Sequence, residues 1–166
     1  MVAADDPTVT VRELGRPGDL GWIVQAHGEI YADQFGWDSS FETLVARIVA
    51  DFASEHVPGR DAAWIAEVDG KRAGCVLCVA ADAHTAKLRV LLVDPAARGL
   101  GLGSRMVAEC LRFAKKAGYR RVRLWTTDKQ VAARRIYEAA GFELVEEHPD
   151  RAFDDDVVGQ TWSLPL

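Results

Sequence analysis

The sequence predicts an α/β fold with a mixed, mostly antiparallel central sheet of about seven strands and four helices. Three observations lead to this prediction. Short runs rich in branched residues alternate with segments whose apolar residues recur every three or four positions. Glycine or proline separates most of these segments. The predicted order is β-α-α-β-β-β-α-β-α-β-β, and the alternation of strands and helices in its second half is typical of an α/β domain.

The first part of the chain is predicted to form one strand and two helices. β-Branched and polar residues alternate over residues 8–14, which is typical of a strand. Asp19 is expected to cap a helix over residues 20–33, in which apolar residues recur at helical spacing. After an aromatic-rich loop, Ser40 is expected to cap the second helix, which ends before Pro58-Gly59.

Three strands are predicted to follow the second helix. Residues 62–68 and 72–81 are apolar runs on either side of Asp69-Gly70, which is a two-residue hairpin signal. Residues 88–93 are apolar enough for a strand buried on both faces. Asp94-Pro95 ends that strand because proline cannot donate to a sheet ladder.

The last part of the chain is predicted to form a helix ended by Gly118, a strand, a helix ended by Gly141 and two strands. These elements cover residues 102–114, 121–126, 132–140, 142–147 and 157–164. We find no internal repeat, low-complexity segment or linker, and the length suits one hydrophobic core. Residues 1–166 are therefore expected to form a single domain.

Composition narrows the functional classes. The chain has 49% hydrophobic and 27% charged residues, which is ordinary for a globular protein. The net charge is −5 and the basic residues are dispersed, so nucleic acid is not an expected partner. No apolar run approaches the roughly 20 residues of a membrane helix, and the acidic N-terminus does not resemble a secretory signal. These features predict a cytoplasmic protein that does not bind membranes.

The cysteines do not predict a disulfide or a metal site. Their number, three, is odd. Cys75 and Cys78 have the spacing of a CxxC motif but lie within a predicted strand. Residues three apart on a strand point to opposite faces, so these two thiols are expected to pack in the core.

A glycine-rich turn between the strand over residues 88–93 and the next helix is the most specific feature of the sequence. It reads Arg98-Gly99-Leu100-Gly101-Leu102-Gly103. Glycines at alternate positions let the main chain approach a ligand closely. The helix N-terminus adds unpaired N–H donors and a partial positive charge, and Arg98 adds a full charge. This combination predicts a site for the phosphate groups of a cofactor.

Two other glycine motifs do not match this turn. A Walker loop has a lysine and a hydroxyl residue after its last glycine, where this chain has Ser104-Arg105. A dinucleotide-binding turn has glycine or alanine at the position of Ser104, and an acidic residue about twenty positions later, where Val122-Arg123 lies. The sequence therefore does not predict a nucleoside triphosphate or a dinucleotide as the ligand.

Two motifs, in order, resemble those of the GCN5-related N-acetyltransferase (GNAT) superfamily. Residues 98–103 match its motif A, Arg/Gln-x-x-Gly-x-Gly/Ala. Further along, Ala133, Tyr137, Gly141 and Phe142 match its motif B, Asn-x-x-Ala-x-x-x-Tyr-x-x-x-Gly-Phe. The predicted order of elements also resembles the family. The chain is most similar to the small acetyltransferase domains that are fused to MarR-type regulators in some bacteria, without their DNA-binding part.

The resemblance implies acetyl-coenzyme A (acetyl-CoA) as the cofactor. In the family, the strand before motif A splays from its parallel neighbour, and the pantetheine arm lies between the two strands. Gln130 replaces the asparagine of motif B, which usually contacts that arm. The implied cofactor-binding residues are Leu91, Leu92, Val93, Arg98, Gly99, Leu100, Gly101, Leu102, Gly103, Ser104, Gln130 and Ala133.

The resemblance also implies direct attack of an amine on the thioester in a ternary complex. Tyr137 is expected to donate a proton to the leaving thiolate, because its phenol is protonated at neutral pH. An alkylammonium has a pKa near ~10, so a base is also required. Lys87 stands where many family members have glutamate. Glu29 is therefore the first choice for the base, with His27 and Asp33 as further candidates.

The acceptor is expected to be a small primary amine. In the family, acceptor-binding residues come from the first two helices, their loop and the final hairpin, which implies Tyr31, Phe35, Trp37 and the three aspartates at 154–156. These side chains suit a cationic amine with an apolar body, although core packing and a solvated turn explain them equally well. An acetyl-CoA sensor without turnover and a protein or peptide acetyltransferase are the alternatives. Trp162 is interpreted as a core residue or a homodimer contact.

Overall fold

The computed structural model describes residues 5–150 and 157–166. Within them it contains the predicted order of seven strands and four α-helices. The strands are β1 (Val9–Glu13), β2 (Ala62–Val68), β3 (Lys71–Ala80), β4 (Thr85–Val93), β5 (Arg121–Thr127), β6 (Glu143–Asp150) and β7 (Val157–Pro165). The helices are α1 (Asp19–Phe35), α2 (Ser39–Glu55), α3 (Leu102–Lys116) and α4 (Val131–Ala140). No helix in this part of the chain is both long and apolar enough to cross a membrane.

The strands form one sheet in the order β1-β2-β3-β4-β5-β7-β6. Only the β4–β5 pair is parallel, so the sheet is mixed and mostly antiparallel, as predicted. A hydrophobic core lies on each face: α3 and α4 contribute to one, and α1 and α2 to the other. Cys78 belongs to the first core and Cys75 to the second, which confirms that these two thiols point to opposite faces.

The parallel pair β4–β5 separates after a few residues. Its ladder extends from Thr85↔Arg121 to Leu88↔Leu124, whereas both strands continue beyond it. The strands therefore open toward the ends that precede α3 and α4. An opening of this kind is what the resemblance implied for the strand before the glycine turn.

A β-bulge in β4 lies within this opening. On β3, Cys75 pairs with Leu92 and Leu77 pairs with Arg89, so one extra residue is accommodated on β4. Val90 has a φ of 49°, a left-handed conformation that is unfavourable for a β-branched residue. The bulge shifts the alternation of side chains by one position. As a result, Leu88 and Leu91 pack in the α3-side core, and Leu92 packs in the α1/α2-side core.

The start of α1 differs from the prediction. Gly18, in a left-handed conformation, is the N-cap, and Asp19 is the first helical residue. Asp19 is fully buried and forms ion pairs with Arg12 at 2.9 Å and Arg72 at 2.8 Å. Hydrogen bonds from Arg12 first, and also from Gly15, Arg72 and Arg16, hold the pKa of this carboxyl well below its usual range. Asp19 therefore joins α1 to β1 and β3 instead of capping the helix.

Other element boundaries were also predicted with errors. Asp38, and not Ser40, caps α2, and its carboxylate accepts a hydrogen bond from the Ser40 N–H at 2.9 Å. β4 begins at Thr85, before the predicted start. The prediction began the strand too late because Lys87 and Arg89 interrupt the apolar pattern, although they do not end the strand. β6 continues to Asp150, into a stretch that was predicted as a loop.

Candidate functional site

Two cavities adjoin at the opening between β4 and β5. The larger, of about 570 Å³, lies between the sheet and helices α1 and α2. The smaller, of about 320 Å³, lies beside the first turn of α3 and the first half of α4. Leu91 lines both cavities, so the two are neighbours.

The smaller cavity is built mainly by the glycine turn. Gly99 and Gly101 have φ values of 86° and 73°, a conformation that glycine adopts without strain. Gly101 is the N-cap of α3 and provides no side chain to occupy the N–H donors of the first turn. Arg98 lines the cavity next to these donors. Main-chain donors, a helix dipole and a guanidinium are together suited to an oxyanion such as a pyrophosphate.

Most residues predicted to bind the cofactor line the smaller cavity. They are Leu91, Val93, Arg98, Gly99, Gly101, Leu102, Gly103, Ser104 and Ala133. Three others lie elsewhere. Leu92 is buried in the α1/α2-side core, Leu100 is 39% exposed outside either cavity, and Gln130 lines the larger cavity. A Cβ atom on Gly103 would overlap the side chain of Ile136, so this glycine lets α3 pack closely against α4.

Gln130 connects three elements. Its Oε1 accepts hydrogen bonds from the Thr127 N–H at 3.1 Å and from the hydroxyls of Thr126 and Thr127. Its Nε2 donates to the Tyr31 hydroxyl at 3.2 Å. The amide that replaces the family's asparagine thus joins the end of β5 and the start of α4 to α1. Burial raises the pKa of Tyr31 to about 12, so this hydroxyl stays protonated.

Tyr137 lies where the two cavities meet. It is 4% exposed, belongs to α4 and lines the larger cavity, while Ala132, Ala133 and Ile136 of the same helix line the smaller one. Burial, followed by the proximity of Tyr31 and Cys110, raises the pKa of Tyr137 well above that of a free phenol. The phenol is therefore protonated at neutral pH and can donate its proton.

His27 also lines the larger cavity and is 1% exposed. Its Nδ1 lies 2.7 Å from the Ile23 carbonyl oxygen, and a carbonyl can only accept, so Nδ1 carries the proton. The Nε2 atom is then an acceptor, and it is buried without a hydrogen-bond partner among the residues that the structure describes. Burial lowers the pKa of His27 to about 4. At neutral pH this side chain is an uncharged acceptor in the cavity wall.

Several predicted acceptor and base residues do not reach the cavities. Glu29 and Asp33 are exposed on α1, and Glu29 accepts a hydrogen bond from Gln25 at 3.1 Å. Phe35 and Trp37 line neither cavity. They pack with each other at a ring-centroid distance of 4.9 Å, in an aromatic cluster with Tyr31 and Phe41. Of the predicted acceptor residues within the described ranges, Tyr31 alone lines the larger cavity.

Two further sequence predictions concern the C-terminal hairpin. The aspartates at 154–156 lie outside the described residues. Trp162 is buried in the α3-side core, and its Nε1 donates to Gln160 at 3.1 Å, so the core interpretation holds for this residue.

Three basic residues of the larger cavity were missed by the sequence reasoning. Lys87 and Arg89 of β4 and Arg123 of β5 all line it. The signal was present, because Lys87 and Arg89 alternate with apolar residues, as do Arg121 and Arg123. Such alternation in a strand places the basic side chains together on one face. Along the sequence alone, these residues are counted with the dispersed basic residues.

Comparison with protein families gives a match over most of the chain. The model of the acetyltransferase (GNAT) family matches residues 24–142. The chain is 33% identical over 92 residues to an uncharacterised N-acetyltransferase of Methanocaldococcus jannaschii, covering 52% of this chain and 41% of that protein. It is 32% identical over 114 residues to N-acetylaspartate synthetase of Danio rerio, covering 68% and 39%. The chain thus spans about two fifths of the length of these relatives.

Solved structures share the fold. An acetyltransferase of Salmonella typhimurium, solved with its cofactor acetyl-CoA, superposes with a TM-score of 0.72 at 16% identity. The match covers 95% of this chain and 94% of the Salmonella chain. At this identity the likeness shows the fold alone.

Proposed function

The chain belongs to the acetyltransferase (GNAT) family, and we propose that it is an N-acetyltransferase that moves an acetyl group from acetyl-CoA to a primary amine of a small molecule. The observation that carries this proposal is the pair of adjoining cavities at the β4–β5 opening. The smaller is suited to phosphate groups, and the larger is lined by apolar side chains together with polar and basic ones. Tyr137 lines the larger cavity, and its helix also lines the smaller one.

The residues of the smaller cavity fit the phosphate part of acetyl-CoA. The main-chain N–H groups of residues 101–104 and the guanidinium of Arg98 would hold the pyrophosphate. The unpaired edge of β4 from Leu91 to Val93 would hold the pantetheine arm as an additional strand does. Leu92 can contribute through its main chain although its side chain is buried in the opposite core. The amide of Gln130 is already hydrogen-bonded to Tyr31, so it would contribute to cofactor binding through this hydrogen bond and not as a free amide.

When bound, acetyl-CoA supplies the acetyl group as a thioester. The larger cavity would hold the amine with its nitrogen toward the opening, so that an N–C bond forms as the C–S bond breaks. Tyr137 would donate its Oη proton to the leaving sulfur. His27 would accept a hydrogen bond from an amine N–H at Nε2 and orient the nitrogen.

The reaction also needs a base that removes the amine proton. Glu29 stays a prediction from the sequence, and its exposed position provides no direct contact with the larger cavity. His27 is closer, but a group with a pKa of about 4 is a weak base for an alkylammonium. Because Glu29 lines neither cavity, the amine proton would pass to solvent water. A homodimer and a cytoplasmic location also stay predictions.

The experiment is to measure thiol release from acetyl-CoA with a panel of amines, amino acids and peptides, together with binding of CoA by calorimetry. We expect CoA to bind and at least one small amine to release thiol. Binding of CoA with no thiol release from any acceptor would favour the alternative, a sensor without turnover. Release only with peptides or proteins would favour a protein acetyltransferase.

A further inference from the structure

The larger cavity contains a group of three basic side chains, which we name the cation trio: Lys87, Arg89 and Arg123. Lys87 and Arg123 are direct partners in the β4–β5 ladder. Arg89 is two residues from Lys87 on β4, before the bulge, and therefore lies on the same face of the sheet. The trio is thus a compact group of positive charge in the wall of one cavity.

Nothing in the described part of the chain neutralises this charge. No ion pair there involves Lys87, Arg89 or Arg123. Among residues 5–150 and 157–166, no aspartate or glutamate lines the cavity. Asp51 of α2 attracts Arg89 without forming an ion pair with it. Burial, followed by the charges of Arg89 and Arg123, lowers the pKa of Lys87. Like charges opposite each other in a sheet are unfavourable, so an anion bound beside the trio would stabilise it.

The position of the trio relates it to the acceptor and not to the phosphates of the cofactor. Lys87 and Arg123 lie one residue before Leu88↔Leu124, the last pair before the strands part. One residue of a strand is about 3.3 Å, so these side chains start within a few ångströms of the opening. The smaller cavity has its own cation, Arg98, and the N-terminus of α3.

We propose that the acceptor amine also carries a carboxylate or another oxyanion, which the cation trio binds. This inference rests on the proposed function, and it names the substrate class of the same site. The amine end would lie toward His27 and Tyr137, and the anionic end toward Arg123. The apolar side chains of Phe41, Leu44 and Ile48, on the helix side of the cavity, would contact the body of the molecule. The class is therefore an amino acid or a close analogue, and not the purely cationic amine expected from the sequence.

The test compares acceptors that differ only in the anion. α-Amino acids are assayed beside their amides, and 2-aminoethylphosphonate beside ethanolamine, with thiol release from acetyl-CoA as the readout. The first set tests whether the site binds a carboxylate, and the second set tests whether it binds a phosphonate. For the best acceptor we expect kcat/KM to exceed that of its uncharged partner by about 10-fold or more, as is usual for a charged hydrogen-bonded contact.

The variant for this test is Arg123→Gln, chosen because Arg123 is the exposed member of the trio and its loss should not affect folding. We expect kcat/KM for the anionic acceptor to fall about 10-fold, while kcat/KM for the uncharged partner and the KM for acetyl-CoA change less than about twofold. Arg135→Gln is the matched control, because Arg135 is an exposed arginine on α4 that lines neither cavity.

The outcomes separate this inference from the proposed function. Thiol release that is equally fast with amides and ethanolamine would overturn the inference and leave the acetyltransferase intact. If no amine releases thiol, binding of the N-acetyl amino acids and of their amides is measured by calorimetry in the presence of CoA. Tighter binding of the carboxylates, weakened in Arg123→Gln, would support the trio as an anion site. Equal binding, or none, would overturn it.

Discussion

The two cavities of this domain are constructed in different ways. Six of the twelve residues that line the smaller one come from a contiguous stretch, residues 98–104, and three of these six are glycines without a side chain. The larger one is made by side chains from α1, α2, β4, β5, α4 and β7, which come together only in the folded sheet. A site of the first kind depends on glycine at particular positions, whereas a site of the second kind depends on the packing of distant elements. The predictions below test this contrast.

The largest effect is expected at Tyr137, where the two cavities meet. Tyr137→Phe removes the proton donor without changing the packing, so we expect kcat to fall about 100-fold while the KM for acetyl-CoA changes less than about twofold. Steady-state thiol release measures both quantities. Tyr119→Phe is the matched control, since Tyr119 is a buried tyrosine outside both cavities whose hydroxyl donates to the Arg60 carbonyl at 2.7 Å. Unchanged turnover in Tyr137→Phe would remove this residue from the mechanism.

A smaller effect on activity, confined to the smaller cavity, is expected from Gly101→Ala. Gly101 and Gly118, at opposite ends of α3, have φ values of 73° and 89°, and a Cβ on either would meet no atom within 4 Å. Alanine at either position should therefore lower the free energy of unfolding by about 1–2 kcal/mol. Only Gly101→Ala should also raise the KM for acetyl-CoA, by about 10-fold, because its methyl group stands between the main chain and the phosphates. Equal KM values in the two variants would argue against a phosphate site at this turn.

The next effect concerns His27 of the larger cavity and the pH dependence of the protein's stability. Burial lowers the pKa of His27 to about 4, whereas the unfolded chain has the ordinary value of about 6.5. Between these values the unfolded chain binds a proton that the folded chain does not, so stability decreases as the pH falls. From about pH 7.5 to pH 5.5, the wild type should lose about 1 kcal/mol more than His27→Gln, which has no titratable group there. Urea unfolding at both pH values measures the difference, and equal losses would mean that His27 is not buried as an uncharged ring.

The smallest effect is expected from Glu29→Gln. The exposed carboxylate of Glu29 contacts Gln25 and lines neither cavity, so kcat/KM should change less than about twofold across the pH range. A pH–rate profile that loses its ionisation in this variant would instead establish Glu29 as the base that the sequence suggested. It would also require an acceptor site that extends beyond the larger cavity.

The order of elements could be predicted from the sequence because the signals are local. Apolar spacing identifies the helices, and glycine or proline marks most of their ends. The ion pairs of Asp19 could not be predicted in this way. Its position before an apolar helix is typical of a cap, but Arg12 and Arg72 reach it from two strands, and two guanidinium partners stabilise the carboxylate better than a single cap does. Long-range ion pairs of this kind leave no local pattern.

The smaller cavity was largely predicted and the larger one largely was not, for the same physical reason. Motifs predicted the loop from Arg98 to Ser104 because its geometry is set by neighbouring residues. Phe35 and Trp37 were expected at the acceptor because they are aromatic and lie in a loop, yet they pack against Tyr31 and Phe41. The cation trio was overlooked because Lys87 and Arg123 become neighbours only when two strands pair.

The bulge at Val90 has a consequence for how the two cavities can change by mutation. The apolar run around it hides the bulge from sequence reasoning, because a strand buried on both faces shows no alternation. That one extra residue determines which face of the sheet each residue of β4 after Val90 points to. Substitutions can alter which groups line the acceptor or the cofactor side, but only an insertion or a deletion can transfer a residue from one side to the other. Point mutations can therefore change the side chains that line the acceptor side, while the residues of β4 that face the cofactor side stay in the same positions.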